Sequence, residues 1–523
     1  MTKLNGGKTN MNRTETLIIS PDKVWDKTKL KSALAKKIDV NAEDISFCIV
    51  KRRSIDARKS VLYNVLVEYG LGKEKPKTEK FASDFKNVEH SESVLIVGAG
   101  PAGYFAALKL LSLGIKPVIL ERGKPVEERK FDISVLHRDQ ILNRNSNYAF
   151  GEGGAGTYSD GKLYSRSKRK HDVNDVLNLF HHFGAVPDIL IDTHPHIGTD
   201  KLSSIIKNLR NTIIEFGGEV IFNSCVTDII VEDNMFKSVI TENDIEYNAK
   251  AIIWATGHSA TESYHLLQHR NIPIEAKGFA MGVRIEHPQE LIDKIRYGRE
   301  RGKYLPAAAY AIVCQQKGRG VYSFCMCPGG TIVPALTDVN TRVVNGMSNS
   351  YRNSNYANSG LVVEIRREDL PEQDSLAGLR YQQSLEQQAA LNSGNGLIAP
   401  AQALGDFVDG KISSYLPKNS YSPGTVSSPI HFWMPEHIST RLKLALKYFG
   451  KRMPGFVTND AIMLGVESKT SSPVRIIRDS VSLMSPKCQG FFPAGEGAGY
   501  AGGIMSSAID GRRIAEKAAE FVS

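Results

Sequence analysis

The sequence predicts an α/β protein that combines a Rossmann-like nucleotide-binding domain, an inserted α+β substrate domain and a small N-terminal α+β domain. Three observations predict this class. A β-α-β unit with a glycine-rich turn begins at Ser93 and is complete within about thirty residues. Two later stretches that belong with this unit are separated by roughly 200 residues of mixed helix and strand patterns. Residues 1–90 have a β-α-β-β order of their own.

The composition is typical of a globular protein, with 523 residues of which 41% are hydrophobic and 23% are charged. Residues 1–20 lack the apolar segment of a signal peptide, and no apolar run reaches the ~20 residues of a membrane span. Six cysteines spread over this length do not form a disulfide framework. We therefore expect a cytoplasmic protein with no part in the membrane.

The formal net charge of +10 is concentrated near the start of the chain, because residues 1–90 hold 19 Lys and Arg against 12 Asp and Glu. A basic segment could recruit nucleic acid or another polyanion. No aromatic-and-basic RNA-binding signature accompanies the charge. We therefore favour a solvated basic surface and do not expect nucleic acid as a partner.

The N-terminal region predicts a compact β-α-β-β arrangement. A short apolar strand at Thr16–Ser20 precedes a helical pattern at Lys27–Lys37, for which Asp26 is a suitable N-cap. Two β-type runs follow at Ile45–Arg53 and Ser60–Glu68. These four elements are enough for one small independent core.

The nucleotide-binding unit is recognised from its context. The buried strand Ser93–Val97 leads into the turn Gly98–Gly103, an apolar helix follows, and the next strand ends at Glu121. The same G-x-G-x-x-G spacing recurs from Gly151 and from Gly497, but neither copy stands between a strand and a helix. Only the first copy therefore predicts a dinucleotide site.

A physical reason explains the residue type at each of the main positions of this unit. Gly98 permits the tight turn, and Gly100 lets the backbone approach a pyrophosphate. Gly103 lets the helix and the strand pack closely. The helix N-terminus offers free N–H groups and a positive dipole end to the phosphates. Glu121 is placed to accept hydrogen bonds from the ribose hydroxyls of the adenosine.

Further motifs resemble those of flavoproteins in the glutathione-reductase-like superfamily, in its single-nucleotide-domain branch. They are the Pro-Ala within Gly98–Gly103, the segment Glu121–Arg129, the A-T-G stretch Ile252–Gly257 and the stretch Phe491–Gly497. The resemblance implies FAD as the cofactor. It also implies that Glu496, where the superfamily usually has Asp, contacts the ribityl–pyrophosphate region, and that a helix from about Gly503 points its N-terminus at the flavin.

Three longer motifs, Gly151–Leu163, Glu467–Ile476 and Pro493–Ile504, resemble a bacterial family of FAD-dependent dehydrogenases whose substrate is not established. The resemblance covers roughly residues 90–523 and implies an FAD-dependent oxidoreductase. No second strand–G-x-G-x-x-G–helix unit is present, so we expect no dedicated NAD(P) domain. NAD(P)H remains open as a transient reductant.

The predicted division is 1–90 for the small basic domain and linker, 91–271 and 465–523 for the FAD-binding domain, and 272–464 for the substrate domain. The linker is the Lys-, Glu- and Gly-containing stretch 71–91. The predicted cofactor residues are Gly98, Gly100, Pro101, Ala102, Gly103, Glu121, Arg122, Gly123, Arg129, Gly154, Gly156, Thr157, Asp160, Gly161, Lys162, Val226, Thr256, Gly257, Gly495, Glu496, Gly503 and Ile504.

Catalytic candidates are fewer and weaker than the cofactor residues. A cation such as Lys162 or Arg475 beside the flavin would stabilise its anionic reduced form. Lys162 could instead form a salt bridge with a neighbouring acid, and Arg475 could bind a carboxylate substrate or join two domains. His258 follows the A-T-G stretch and is a candidate for proton transfer, as are His287 and His431. For each histidine a structural role is the simpler reading.

Two other clusters suggest chemistry. The histidines at 181–182 and 194–196 lack the Cys or acid spacing of a metal site, so no metal is expected. Cys325 and Cys327 would imply a thiol–disulfide oxidoreductase if both faced the flavin. Redox-active pairs in flavoproteins usually read C-x-x-C or C-x4-C, and a C-x-C disulfide closes a strained ring. We therefore favour two small buried side chains on a strand near the active site.

The substrate domain should cover the flavin. Predicted strands lie at Lys277–Ile285, Val321–Cys327 and Gly360–Arg366, and predicted helices at Leu376–Leu391 and Thr440–Phe449. The segment Asn345–Gly360 is rich in Asn, Ser and Tyr, which indicates a mobile surface loop or a lid, although a plain exposed loop is the favoured interpretation.

The sequence thus predicts a dehydrogenase or reductase that transfers hydride between flavin N5 and a small organic substrate. A flavin-carrying binding protein that docks a polyanionic or protein partner through the basic N-terminal domain is one alternative. A flavin monooxygenase is another.

Overall fold

The computed structural model describes residues 13–76, 83–164 and 170–523, and it confirms the predicted α/β class. The small N-terminal domain comes first. Its elements are β1 (Arg13–Ile19), α1 (Pro21–Val24), α2 (Lys27–Ile38), a 3₁₀ turn (Ala42–Asp44), β2 (Ile45–Asp56) and β3 (Leu62–Leu71). The antiparallel sheet has the order β1-β3-β2. As predicted, the Asp26 carboxylate caps α2, accepting from the N–H groups of Thr28 and Lys29.

The small domain is fastened to the rest of the chain through Arg53, which is 7% exposed. Its guanidinium donates to Asp192 at 2.7 Å and to Asp188 at 2.8 Å, and it stacks on the Trp25 ring at 4.1 Å. Leu305 from the inserted domain completes the small hydrophobic core. The predicted linker 71–91 lies partly outside the described residues.

The nucleotide-binding domain contributes the next elements. They are β4 (Ser93–Val97), α3 (Pro101–Leu113), β5 (Lys116–Leu120), α4 (Val126–Asp139), a 3₁₀ turn (Gly154–Tyr158), α5 (Lys170–His182), a 3₁₀ turn (Pro187–Leu190), α6 (Thr199–Glu215), β6 (Glu219–Ile221), β7 (Val226–Glu232), β8 (Met235–Thr241), β9 (Glu246–Asn248), β10 (Ile252–Trp254) and α7 (Thr261–His269). The order β4-α3-β5 is the predicted β-α-β unit, and Gly114 ends its helix at φ 84°.

The inserted region is mainly one antiparallel sheet with helices packed on it. Its elements are β11 (Ile274–Ala276), β12 (Phe279–Pro288), α8 (Gln289–Tyr297), β13 (Val313–Gln316), β14 (Arg319–Cys327), β15 (Thr331–Pro334), β16 (Val344–Met347), β17 (Tyr356–Ile365), a 3₁₀ turn (Arg367–Asp369), α9 (Ala377–Leu391), β18 (Ala399–Ala403), α10 (Leu404–Asp409), β19 (Thr425–Ser427), α11 (Ile430–Trp433) and α12 (Glu436–Arg452). The three predicted strands and two predicted helices correspond to β12, β14, β17, α9 and α12.

The chain then returns to the first domain. Its last elements are β20 (Ile462–Glu467), β21 (Val474–Ile476), β22 (Phe491–Pro493) and α13 (Ile504–Val522). The five-stranded parallel sheet has the order β22-β10-β4-β5-β6, so the A-T-G strand and the C-terminal strand lie beside the first β-α-β unit. The seven-stranded sheet has the order β13-β14-β17-β12-β20-β18-β19. Strand β20 belongs to this sheet and spans the predicted boundary at 464.

The segment Asn345–Gly360 is not the mobile loop or lid that its composition predicts. Strands β16 and β17 take up most of it, and the intervening turn is held down. Arg352 donates two hydrogen bonds to the buried Asp160, and Ser350 is bound by Asp200. Asn and Ser side chains therefore serve here as hydrogen-bonding partners of a fixed turn. No helix among the described residues is long and apolar enough to cross a membrane.

Candidate cofactor site

A cavity of about 790 Å³ opens at the carboxyl ends of strands β4, β10 and β22. The inserted domain supplies its opposite wall through Phe324, Cys325 and Asn345. Ligands of open parallel sheets bind at this edge, because the loops that follow the strands converge there. The cavity is therefore the natural place for a cofactor and for its substrate.

The N-terminus of α3 forms one wall of the cavity. Gly100 is its N-cap residue, no described side chain caps the helix end, and Pro101 occupies the first helical position. A Cβ placed on Gly100 would meet no described atom within 4 Å, whereas one on Gly103 would overlap the carbonyl oxygen of Gly98. Gly103 is therefore required by the packing of helix on strand, and Gly100 leaves bare backbone facing open space.

The N-terminus of α13 points at the same cavity. Its N-cap residue is Gly503 at φ 144°, again without a capping side chain from the described residues. A Cβ on Gly502 or Gly503 would also meet no described neighbour within 4 Å. Two long helices thus direct positive dipole ends and N–H groups at one space, which favours an anionic ligand.

Glu121 has a larger structural role than the sequence indicates. Its buried carboxylate lines the cavity and also accepts hydrogen bonds from the backbone N–H groups of Ala99, Gly123 and Gly151, at 2.8, 2.9 and 3.1 Å. It therefore ties the glycine-rich turn to the segment that begins at Gly151. Its contact with a ribose remains a prediction.

Most of the predicted cofactor residues border the cavity. They are Gly98, Gly100, Pro101, Ala102, Glu121, Arg122, Gly154, Gly156, Asp160, Gly161, Lys162, Val226, Thr256, Gly257, Glu496, Gly503 and Ile504. Within the described chain, the lining does not include Gly103, Gly123, Arg129, Thr157 or Gly495.

Arg129 is the clearest correction among these residues. It is fully buried behind the cavity wall, and its guanidinium donates to the backbone carbonyls of Asn147, Glu152 and Gly154 at 2.7 to 2.8 Å. Thr157 also lies in this network, within reach of Arg129 at 3.3 Å. Arg129 therefore holds the loop that lines the cavity, and its own side chain does not border the cavity.

Asp160 is the centre of a buried charge cluster at the junction of the two domains. Lys162 lies 3.2 Å from its carboxylate, Arg352 binds it at 2.5 and 2.9 Å, and Ser348 donates to it. Burial raises the pKa of Asp160, but the cations of Lys162 and Arg352 outweigh burial and hold that pKa well below its usual range. Lys162 thus has the salt bridge that the sequence offered as its alternative role, and it also borders the cavity.

Replacing Asp160 with asparagine should destabilise the protein by about 3 kcal/mol, because it leaves two cations without their buried counter-charge. Thermal or denaturant unfolding would measure this loss, and limited proteolysis should show faster cleavage near Arg352. Asp200→Asn is the matched control. It also removes a carboxylate from this turn, but its hydrogen bonds to Ser350 are exposed, so we expect a change of less than about 1 kcal/mol. Equal losses for the two variants would contradict the proposed importance of Asp160.

The structure places one of the other two catalytic candidates, His258, at the cavity and the other, Arg475, away from it. His258 lines the cavity, with Nδ1 3.7 Å from the Glu496 carboxylate and with Nε2 buried and lacking a hydrogen-bond partner among the described residues. Arg475 is absent from the cavity lining described here. Arg475 pairs with Glu275 at 3.1 Å and so links β21 to β11. This contact corresponds to the second role that the sequence offered for Arg475, joining two domains.

The two remaining histidines have structural contacts. His287 is fully buried and bonds through Nε2 to the Phe456 carbonyl oxygen at 2.8 Å, and burial lowers its pKa to about 4. His431 lies beside Gln402 at 2.7 Å. The histidines at 181–182 and 194–196 form no metal cluster, since the described residues contain no group of three or more His, Cys, Asp or Glu suited to an ion.

Sequence reasoning missed the residues that reach the cavity from distant parts of the chain. They include Tyr164, Ser224, Cys225, Phe324, Asn345, Lys469, Tyr500 and Arg513. Two of them lie within motifs that the sequence analysis names, Lys469 in Glu467–Ile476 and Tyr500 in Pro493–Ile504, and Phe324 directly precedes the cysteine pair. The others carry no local signal.

The residues present fit FAD. Bare glycine backbone and two uncapped helix ends suit a pyrophosphate, and the cavity volume of about 790 Å³ is large enough for an extended dinucleotide. Gly98, Gly100 and Pro101 would hold the phosphates, and the stretch 154–162 with Ile504 would lie along the flavin.

Comparisons with known protein families agree with this site. Residues 91–130 match the model of an FAD binding domain, and residues 278–470 match the model described as FAD-dependent protein, C-terminal domain-like. Residues 11–70 match a domain of unknown function. These matches confirm FAD as the cofactor.

A curated protein of Clostridium beijerinckii (strain ATCC 51743 / NCIMB 8052), described as an uncharacterized protein, is 39% identical over 512 residues, which cover 94% of this chain and 96% of that protein. Among solved structures, a flavoprotein/dehydrogenase from Cytophaga hutchinsonii is 12% identical, with 82% of this chain and 79% of that chain covered at a TM-score of 0.37. A triple mutant of the flavin-dependent brominase Bmp2 is also 12% identical, with 82% and 80% covered at a TM-score of 0.36. These structural likenesses are too distant to indicate a reaction.

Proposed function

Because this chain belongs to the same protein family as the Clostridium beijerinckii protein and carries the FAD-binding domain, we propose that it is an FAD-dependent dehydrogenase or reductase of a small organic substrate. The observation that supports this proposal is the shape of the cavity. Its nucleotide side is bare glycine backbone with two helix ends, whereas its other side is built from inserted-domain side chains. A substrate would enter between the flavin and that second wall.

FAD, when bound, supplies a two-electron centre that exchanges a hydride at N5. The protein's own contribution is to position the substrate and to exclude water. Phe324 and Asn345 offer one apolar and one amide contact on the substrate side. Lys162 adds a positive charge at this wall, which favours a substrate or a reduced cofactor that carries negative charge.

His258 is our choice for the proton-transfer residue. The His258 side chain lines the cavity, and its Nδ1 lies 3.7 Å from the Glu496 carboxylate. A substrate that loses a hydride from carbon while it carries O–H or N–H must also lose a proton. His258 would hold that proton.

Anaerobic mixing of the FAD-loaded protein with hydride donors tests the proposal. Bleaching of the flavin absorbance by NADH, by NADPH or by one of a panel of hydroxy and amino compounds is the expected result. A donor deuterated at the transferred position should bleach the flavin more slowly, because the C–H bond breaks in that step. If neither the nicotinamides nor the panel bleaches the flavin, the dehydrogenase and reductase proposal fails.

Replacing His258 with asparagine should leave FAD content intact and slow bleaching by hydroxy or amino donors by about 100-fold, the usual contribution of a positioned acid–base group. Bleaching by NADH or NADPH should not change, because these donors release a hydride without a proton. His431→Asn is the matched control, since His431 lies away from the cavity and bonds to Gln402. Equal slowing with both classes of donor would assign His258 to cofactor positioning instead.

A further inference from the structure

The stretch Cys325-Met-Cys327 does not have the geometry of a regular strand. Phe324 pairs with Gly360 and Cys327 pairs with Asn358, so two residues of β14 lie opposite the single residue between those partners. This is a β-bulge, and it places Cys325 at φ 44°, in the left-handed region. The alternation of side chains expected for a regular strand therefore does not apply to this pair.

The bulge brings the Cys327 thiol back beside residue 325. Cys327 Sγ lies 3.2 Å from the Cys325 carbonyl oxygen and 3.5 Å from the Arg284 guanidinium, which also donates to that carbonyl at 2.8 Å. Cys325 is partly exposed and lines the cavity, whereas Cys327 is fully buried behind it. Cys325 is therefore accessible to a ligand in the cavity, whereas Cys327 is not.

The charges around the pair favour a thiolate at Cys325. The hydrogen bond from Cys327 lowers the pKa of Cys325, and the nearby cations of Lys162 and Arg284 add to this against the effects of burial and of Asp160. The same hydrogen bond, together with burial, raises the pKa of Cys327. Glu467, whose Oε1 has no hydrogen-bond partner among the described residues, completes the set of charged groups.

The other cysteines at or near the site differ from Cys325. Cys225 also lines the cavity, but burial raises its pKa. Burial likewise raises the pKa of Cys488, to about 12. Cys325 is thus set apart by its partner thiol and its two cations.

We propose that Cys325 and Cys327 form a dithiol–disulfide pair that reduces disulfide substrates in the cavity, with Cys325 as the nucleophile and Cys327 as the resolving thiol. This inference goes beyond hydride transfer and does not depend on it. It also replaces the expectation, drawn from the C-x-C spacing, that the two cysteines are only small buried side chains.

The half-reaction between the reduced pair and a disulfide balances in atoms and electrons, and an external dithiol completes the cycle. The Cys325 thiolate attacks one sulfur of a disulfide R–S–S–R, forms a mixed disulfide and releases RS⁻, which takes a proton from water. Cys327 then gives up its proton, attacks Cys325 Sγ and displaces the second RS⁻, which takes that proton. The pair loses two electrons and becomes a disulfide, and the substrate gains those two electrons as two thiols. An external dithiol of lower potential returns the pair to its reduced form.

The first test uses the FAD-loaded protein equilibrated in mixtures of reduced and oxidised glutathione, followed by alkylation of free thiols and peptide mass spectrometry. We expect an intramolecular Cys325–Cys327 disulfide and a loss of two of the six free thiols. Cys225→Ser is the matched control at the same cavity and should keep this disulfide. If all six thiols stay free throughout the series in the folded protein, the proposal is overturned.

The second test separates the two roles. In Cys327→Ser, oxidised glutathione should remain attached to Cys325 as a stable mixed disulfide, and in Cys325→Ser no adduct should form on Cys327. Flavin absorbance and circular dichroism establish that both variants are folded. Lys162→Met should slow the alkylation of Cys325 by iodoacetamide at neutral pH by about tenfold, through a smaller thiolate fraction. If Cys325 reacts with iodoacetamide but forms neither the disulfide with Cys327 nor the mixed disulfide with glutathione, the proposed dithiol–disulfide pair is wrong and Cys325 is only a reactive thiol.

Discussion

Replacing Gly100 with valine should abolish FAD retention and leave the fold intact. The Gly100 backbone faces open cavity space, and its φ of −81° is accessible to any residue. A Cβ at this position would meet no described protein atom within 4 Å, and a valine side chain would occupy the space that the pyrophosphate needs. We expect the Kd for FAD to rise by at least about 100-fold, or roughly 2.7 kcal/mol. Fluorescence titration of the stripped protein with FAD measures this change.

Gly103→Ala is the control that separates binding from folding. Its Cβ would overlap the Gly98 carbonyl oxygen where α3 meets the glycine-rich turn, so this variant should unfold at a lower temperature even without FAD. Gly100→Val without FAD should keep the melting temperature of the stripped wild-type protein. A Gly100→Val variant that binds FAD normally would show that the pyrophosphate does not approach this turn.

Replacing Arg284 with methionine should destabilise the protein by about 3 kcal/mol. Arg284 is fully buried and donates to Glu467 at 2.8 Å, to Asn358 at 2.9 Å and to the Cys325 carbonyl oxygen at 2.8 Å. Without it, an acid that is 1% exposed loses its counter-charge. Denaturant unfolding with linear extrapolation measures the loss.

The pH dependence of this variant has a definite sign. Burial raises the pKa of Glu467 to about 7 even though Arg284 opposes the rise, so removing Arg284 raises it further. A carboxyl whose folded-state pKa lies above its unfolded value contributes stability at low pH and loses it as the pH rises through the folded-state pKa. The free energy of unfolding that Arg284→Met loses relative to the wild-type protein should therefore be larger above pH 7 than below it. The double variant Arg284→Met, Glu467→Leu should recover part of the loss, because no buried charge is then left alone. If the double variant recovers no stability, the loss comes from packing and not from the unpaired buried charge of Glu467.

The sequence alone predicted the parts of this molecule that local chemistry determines. The β-α-β unit and the Asp26 cap follow from periodicity, capping and glycine spacing, whereas the A-T-G strand and the C-terminal strand were placed at the cofactor by family resemblance. Arg129 was assigned to the cofactor, and Arg475 was left open between a ligand and a link between two domains, because an arginine in a motif says nothing about which way it points. In the fold, Arg129 binds loop carbonyls and Arg475 pairs with Glu275.

The remaining surprises come from contacts between residues far apart in the chain. The polar composition of 345–360 is typical of exposed loops, and only the fold shows that Asp160 anchors the turn from nearly 200 positions away in sequence. The cysteine pair is a similar case, since its bulge depends on the register between β14 and β17. Register and long-range ion pairs leave no local signal in a single sequence.

The buried charge cluster centred on Asp160 also has a consequence for the binding and release of FAD. It fastens a loop of the nucleotide-binding domain to a turn of the inserted domain at the rim of the cavity. We expect FAD to exchange when the contacts between these two segments open, so that the rate of opening, and not affinity alone, would set the half-life of exchange. FAD would then be taken up most readily while the chain folds and would persist through dilution afterwards. Protein made under riboflavin limitation would thus be expected to carry a lasting apo fraction that added FAD fills only slowly.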